Sequence, residues 1–244
     1  MDKDQLFKKR NIYLAIFISL TILFFAAIVL VAIFVKDYQL MTLINILISV
    51  VLILVLIKFR ESLYSLNTLC RIAKLETSQG PILTYKHNPF DRISYLIDDG
   101  YKVTVKNQRY TILYKVSLEK DLHRKHKTFS VVIFIEDNTM DFYDKFIHDD
   151  IAGIEETLIK EKLNPKFYQI IAYRLMDQVS KEVIDQIAEV VNYRIKANTY
   201  TQVNVGVDVA NKKAYFLYSN TYSPSTNYSD VVKNIHNMIG VDQE

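Results

Sequence analysis

From Ile12 to Val35 the chain runs for 24 residues without a charged side chain, and from Leu40 to Ile57 it does so again for 18. No other feature restricts the fold as much. At ~1.5 Å per residue the first run reaches about 36 Å as a helix, enough to cross a bilayer core of ~30 Å with some tilt. The second run is close to the lower limit for a span. Only Lys36, Asp37, Tyr38 and Gln39 lie between them, so the two helices must be antiparallel neighbours with their outer ends on one side. The expectation is a tail over 1–11 and a two-helix transmembrane hairpin over 12–57.

The side follows from Lys and Arg near the span ends. Lys8, Lys9 and Arg10 precede the first run, and Lys58, Arg60, Arg71 and Lys74 follow the second, while the loop has one Lys beside an Asp. This predicts a multi-pass protein of the cell membrane with its N-terminus and C-terminal domain cytoplasmic. A cleaved signal peptide fits less well. The first run is too long for the apolar core of one, no small-x-small site follows, and a second span comes at once. Neither span contains an ionisable residue, the usual mark of an ion or proton path, so the pair reads as an anchor with the bilayer as its first partner. Asn45 is the polar residue most suited to bond across helices, to a copy of the chain or to a partner subunit.

The charge balance separates anchor from domain. Up to Phe59 there are six basic and three acidic residues, and from Arg60 onward there are 24 of each. A neutral domain lacks the basic surface that general nucleic-acid binding needs. The single cysteine, Cys70, allows no intrachain disulfide, in keeping with a reducing compartment. It falls on a stripe with Leu63, Leu66 and Ala73, at helical spacing. This predicts a juxtamembrane helix over 58–80 that can continue the second span and either pairs with a copy of itself or lies on the lipid surface; Cys70 reads as a small apolar residue of its face, with acylation as the alternative.

The remaining residues, 81–244, read as one α+β domain. Asn88-Pro89 opens a short helix that Asp98-Asp99-Gly100 ends. Tyr101–Lys106 and Arg109–Ser117 alternate as a hairpin about Asn107-Gln108, and Thr128–Glu136 is an apolar strand central to its sheet. A helix is expected over Asp141–Leu163, a strand over Lys166–Met176, and a helix over Ser180–Lys196, where Val183, Ile187, Val191 and Ile195 recur every four residues. A second hairpin follows, Thr201–Val209 and Lys213–Ser219, then a polar loop and a closing helix, Asp230–Ile239, with Gly240 beyond its end. The predicted fold is a largely antiparallel sheet with helices packed on one face.

Chemistry-bearing residues are sparse. Asp141, Asp144 and His148 would share one helix face at i, i+3 and i+7, a candidate divalent-metal set, against the alternative of a solvated acidic helix start. Lys120, Arg124, Lys125 and Lys127 form a basic cluster between two strands, able to touch lipid headgroups or phosphate or simply to keep a connection soluble. The segment Val205–Phe216 resembles the first strands of RNase-H-like transposases and recombinases, where Asp208 would hold metal. Only Asp230, Asp242 and Glu244 supply later carboxylates, and a hairpin accounts for the segment. No nucleotide-cradling loop, hydrolase elbow or Cys-x-x-Cys pair occurs, and five glycines leave little material for such loops.

The function expected is therefore a non-catalytic, membrane-tethered interaction or scaffold module, without a cofactor, that binds a protein partner or forms a homo-oligomer. Tyr215, Tyr218, Tyr222 and Tyr228 are its candidate contact residues. The alternatives are a membrane-anchored metal-dependent hydrolase or nuclease, and an accessory subunit of a transport or secretion complex.

Overall fold

The computed structural model describes residues 3–77, 82–120, 125–177, 180–195, 198–219 and 221–241. The chain divides into two compact units, Met1–Ala73 and Lys74–Glu244.

The first unit is a helical hairpin of α1, Lys3–Phe34, and α2, Tyr38–Thr77. Asp37 turns the chain between them. Its Oδ1 accepts the backbone N–H of Gln39 at 2.9 Å and of Leu40 at 3.2 Å, satisfying first-turn donors of α2. The more shielded positions recur at spacings of four and three, Tyr13, Phe17, Leu20, Phe24 and Ala27 on α1 and Met41, Asn45, Ile48, Leu52 and Val55 on α2. That is the seam of two helices packed along their length. In the most apolar 18-residue window of each helix no residue is buried, and both helices are long and apolar enough to cross a membrane.

One end of this hairpin differs from the sequence expectation: the segment expected as a tail is helical from Lys3. The juxtamembrane helix continues the second span without a break, as α2. Leu6 is buried together with Leu66, Cys70 and Ala73, with Phe7 and Tyr13 packed against them. The Tyr13 and Phe59 rings lie 6.1 Å apart. The stripe expected to face a copy or the lipid surface is thus covered by the chain's own N-terminal turns. Cys70 is 2% exposed, and its Sγ donates to the Leu6 carbonyl at 3.9 Å.

The second unit is mixed helix and sheet. Its strands are β1 Ile82–Thr84, β2 Lys102–Lys106, β3 Tyr110–Lys120, β4 Lys125–Ile135, β5 Phe167–Leu175, β6 Val191–Ile195, β7 Asn198–Asp208 and β8 Lys213–Tyr215. Its helices are α3 Ile93–Asp98, α4 Lys145–Lys160, α5 Lys181–Ile187 and α6 Thr226–Ile239. The eight strands make one mostly antiparallel sheet in the order β1-β8-β7-β5-β4-β3-β2, with β6 also paired to β7. The two central pairings, β4 with β5 and β5 with β7, are parallel.

Those parallel pairings change the layering. A parallel connection must leave the sheet and cross one of its faces, and α4 makes that crossing between β4 and β5. Ile147, Ile151, Ile154 and Leu158 of α4 pack with Ile112, Phe129, Val131 and Ile133. On the opposite face Val231, Ile235 and Ile239 of α6 pack with Leu113, Val132, Phe134 and Tyr173. Helices therefore cover both faces, not one. Successive residues of β4 point to opposite cores, which is why its second half, Val131–Ile135, is apolar without alternation.

Local signals held where the chain satisfies its own backbone. Asn88 Oδ1 accepts the Phe90 N–H ahead of the turn Pro89–Arg92. Asn107 Oδ1 accepts from Arg109 and Tyr110 between β2 and β3, and Gly240 ends α6 at φ +71°, a left-handed conformation that glycine adopts without strain. Two segments differ. The helix expected over Ser180–Lys196 ends at Ile187, and Val191–Ile195 is β6, antiparallel to β7. These β-branched and aromatic residues fill an open edge, and pairing there outweighs a four-residue periodicity. β1, unanticipated, pairs with β8.

Candidate functional site

The acidic segment before α4 is a capping structure. α4 begins at Lys145, so Asp141 and Asp144 precede it and the i, i+3, i+7 spacing with His148 does not exist as a helix face. Asp144 is the N-cap, with Oδ1 accepting the Phe146 N–H at 2.9 Å. Asp141 Oδ1 accepts the Tyr143 N–H at 2.7 Å. The His148 ring stacks on Tyr143 at 6.3 Å. Among the described residues no group of three His, Cys, Asp or Glu side chains converges as a metal site. Asp141 and Asp144 each give one carboxylate oxygen to the backbone of the turn that starts the helix.

The basic cluster occupies the β3–β4 hairpin. Lys120 and Lys125 are opposite in its register; their side chains, and Arg124 altogether, lie outside the described residues. Lys127 is half-buried on β4, and its carbonyl accepts the Lys166 N–H. In the first unit Asn45 sits in the seam of α1 and α2 with its Oδ1 buried and without a hydrogen-bond partner. Asp208 ends β7 and holds the turn to β8, accepting from the Asn211 N–H at 2.9 Å and from its Nδ2 at 2.8 Å. That accounts for the residue without metal. Of the four candidate contact tyrosines, Tyr218 and Tyr228 are core residues, and Tyr228 donates to the Leu217 carbonyl at 2.6 Å. Tyr215 is half-buried, and Tyr222 is exposed with Lys74 Nζ 4.8 Å from its ring centre. They do not form one surface patch, because Tyr218 and Tyr228 are turned into the core.

Two rows of side chains cross the sheet where sequence reading did not place them. The register sets Ser130 opposite Gln169, Gln169 opposite Thr201, and Thr201 opposite Asn192. Ser130 donates to Gln169 Oε1 at 3.2 Å, and Gln169 Nε2 donates to Asn227 Oδ1 at 2.7 Å. Asn227 Nδ2 donates to Thr201 Oγ1 at 2.8 Å, which donates to Asn192 Oδ1 at 3.0 Å. Ser225, the N-cap of α6, donates to the same Asn192 atom at 2.9 Å. This uncharged row ties the first turn of α6 to four strands. On the other face Phe129, Tyr168, Tyr200 and Tyr193 form an aromatic row. Tyr168 and Tyr200 stack at 4.3 Å, and Tyr200 and Tyr193 at 5.3 Å. The row runs from Phe129, 1% exposed, to Tyr193, 50% exposed on β6. Burial pushes the Tyr168 hydroxyl well above its usual range, with the Glu155 carboxylate adding to the effect.

At the carboxyl ends of β4 and β5 lies a crevice of about 360 Å³, lined by Asn138, Arg174, Leu175, Met176, Asp177, Ser180 and Val183. Arg174 Nη2 donates to the Asn138 carbonyl at 2.8 Å, and Nη1 reaches Gln186 Oε1 at 3.4 Å. The guanidinium lies 5.8 Å from the Phe142 ring centre, and its Nε is buried without a partner. Burial lowers the Arg174 pKa, and the charges of Asp141 and Asp137 oppose that shift. Asp137 is held low, at about 2, by bonds from Thr139 and Arg109. Asn138 Nδ2 donates to Asp177 Oδ2. The sequence signal was a lone arginine closing the apolar stretch Ile170–Tyr173, which periodicity does not pick out. No protein-family model, curated protein or solved structure matches this chain.

Proposed function

We propose that this protein is a membrane-tethered interaction module: α1 and α2 anchor it in the cell membrane with both outer ends cytoplasmic, and the α+β unit binds a protein partner without catalysis. The observation that carries the reading is the exterior of the hairpin. Ile22, Leu23, Ile33, Leu43 and Leu47 are each more than 60% exposed. Burying that apolar surface in lipid is favourable at about 25 cal/mol per Å². Phe34 and Tyr38 at the turn supply aromatic side chains suited to the membrane boundary. The partner surface is supported by the outer end of the aromatic row. Tyr193 and Ile195 are 50% and 54% exposed on β6, a strand paired on one side alone among the described strands. Aromatic residues are enriched at such contacts.

Topology and binding are tested separately. With Cys70 buried, a cysteine in place of Lys36 is expected to react with an impermeant maleimide added to intact cells, and one in place of Lys160 only after permeabilisation. The reverse pattern overturns the orientation, and carbonate extraction of the protein overturns the anchor. A photo-crosslinker at Tyr193 is expected to yield one discrete adduct, at twice the chain's mass if the partner is a second copy. No adduct at any exposed β6 position overturns the module.

A further inference from the structure

The crevice at the carboxyl ends of β4 and β5 holds a positive and a negative side chain that do not pair with each other. Arg174 and Asp177 both line it. Oppositely charged groups in one small space normally close into an ion pair, since a half-buried guanidinium without a carboxylate is costly. Here Asn138 stands between them, its backbone carbonyl accepting from Arg174 Nη2 and its side-chain amide donating to Asp177. The other nearby carboxylates act on Arg174 through their charge but make no hydrogen bond to it. Asp137 is bound by Arg109 at 2.9 Å, and Asp141 accepts the Tyr143 N–H. Arg174 therefore keeps unused donors, one of them the buried Nε, and Asp177 keeps one oxygen without a hydrogen bond.

We propose that this crevice binds a small zwitterion of the α-amino acid type, its carboxylate on Arg174 and its ammonium on Asp177. A guanidinium receives a carboxylate through paired, charge-assisted bonds, and a carboxylate receives an ammonium in the same way. Opposite charges lining one crevice favour a ligand with both charges over a simple anion, which Asp177 repels, and over a simple cation, which Arg174 repels. At about 360 Å³ the crevice is near the lower end of small-molecule sites, ~300–1,000 Å³, and suits a ligand of amino-acid size. Ser180 at the rim adds a hydroxyl. The reading concerns a site apart from β6 and stands whether or not the module binds a protein there.

The test uses the full chain in detergent, titrated calorimetrically with each of the standard L-amino acids up to about 10 mM, where even millimolar affinity registers. At least one is expected to bind. Its N-acetyl form, without the ammonium, and its carboxamide, without the carboxylate, are each expected to bind at least about tenfold more weakly, the loss for one charge-assisted bond. Arg174→Lys and Asp177→Asn are expected to weaken the amino acid by a similar factor. Asp177 is exposed, so its variant keeps the fold and reports on the site alone. Binding by none of the amino acids overturns the proposal. So does equal binding of the N-acetyl or carboxamide form, or wild-type affinity in Asp177→Asn.

Discussion

Replacing Asn227 by alanine isolates the polar row that fastens α6 to the sheet. Asn227 is 6% exposed. It is not the cap of α6, a role held by Ser225, so the substitution leaves helix initiation intact. Two hydrogen bonds disappear, from Gln169 Nε2 and to Thr201 Oγ1; loss of the second costs about 1 kcal/mol net, and loss of the first leaves the Gln169 amide buried without an acceptor, about 1–3 kcal/mol. Thr201 keeps its bond to Asn192, so the total expected is about 2–4 kcal/mol. The partner change discriminates between lost contacts and a stranded polar group. In Asn227→Leu with Gln169→Leu both ends of the bond are apolar, and Ser130 retains its contact with Tyr101. The double variant should recover at least about 1 kcal/mol relative to the sum of the single changes. The assay is urea unfolding of the chain in detergent, followed by near-ultraviolet circular dichroism of the buried tyrosines, because the hairpin helices dominate the far-ultraviolet signal. A single variant within about 0.5 kcal/mol of wild type, the range of ordinary surface changes, would refute the argument that the row holds α6 in place.

Two further outcomes follow from the capping segment and the buried histidine. Asp144→Ala should cost about 1 kcal/mol through loss of the α4 cap, measured by the same unfolding assay. The cost should be identical with chelator and with added divalent metal; a metal-dependent difference would restore the acidic segment as a metal site. His236 is buried edge-on against the stacked rings of Phe216 and Tyr218, its Nε2 lacks a partner, and burial lowers its pKa from 6.5. The folded state therefore binds the proton less readily than the unfolded state. Stability is unaffected by this group well above pH 6.5. It should fall as the pH drops through that value toward the lower folded pKa, and His236→Phe should flatten the dependence. An equally steep profile in the variant would assign it to other groups.

The sequence by itself determined the features that a short stretch of chain can satisfy alone. Two charge-free runs with four residues between them dictate an antiparallel hairpin of helices, because each helix satisfies its own backbone. The Asn107 turn, the Asn88 cap and the Gly240 terminus were legible for the same reason: their hydrogen bonds are made within a few residues. The tertiary structure decided what depends on distant neighbours. Val191–Ile195 carries a helical period yet is a strand, since β7 offers it an edge. Asp141 and Asp144 look like ligands in one dimension and are backbone acceptors in three. Helices cover both faces because the central strands are parallel, a pairing that no local pattern encodes. The crevice around Arg174 and Asp177 joins the ends of two strands to the turn at Asn138, residues 36 and 39 positions from it in sequence. The placing of Asn138 between the two charges is set by the register of β4 on β5, and register is a property of the folded sheet.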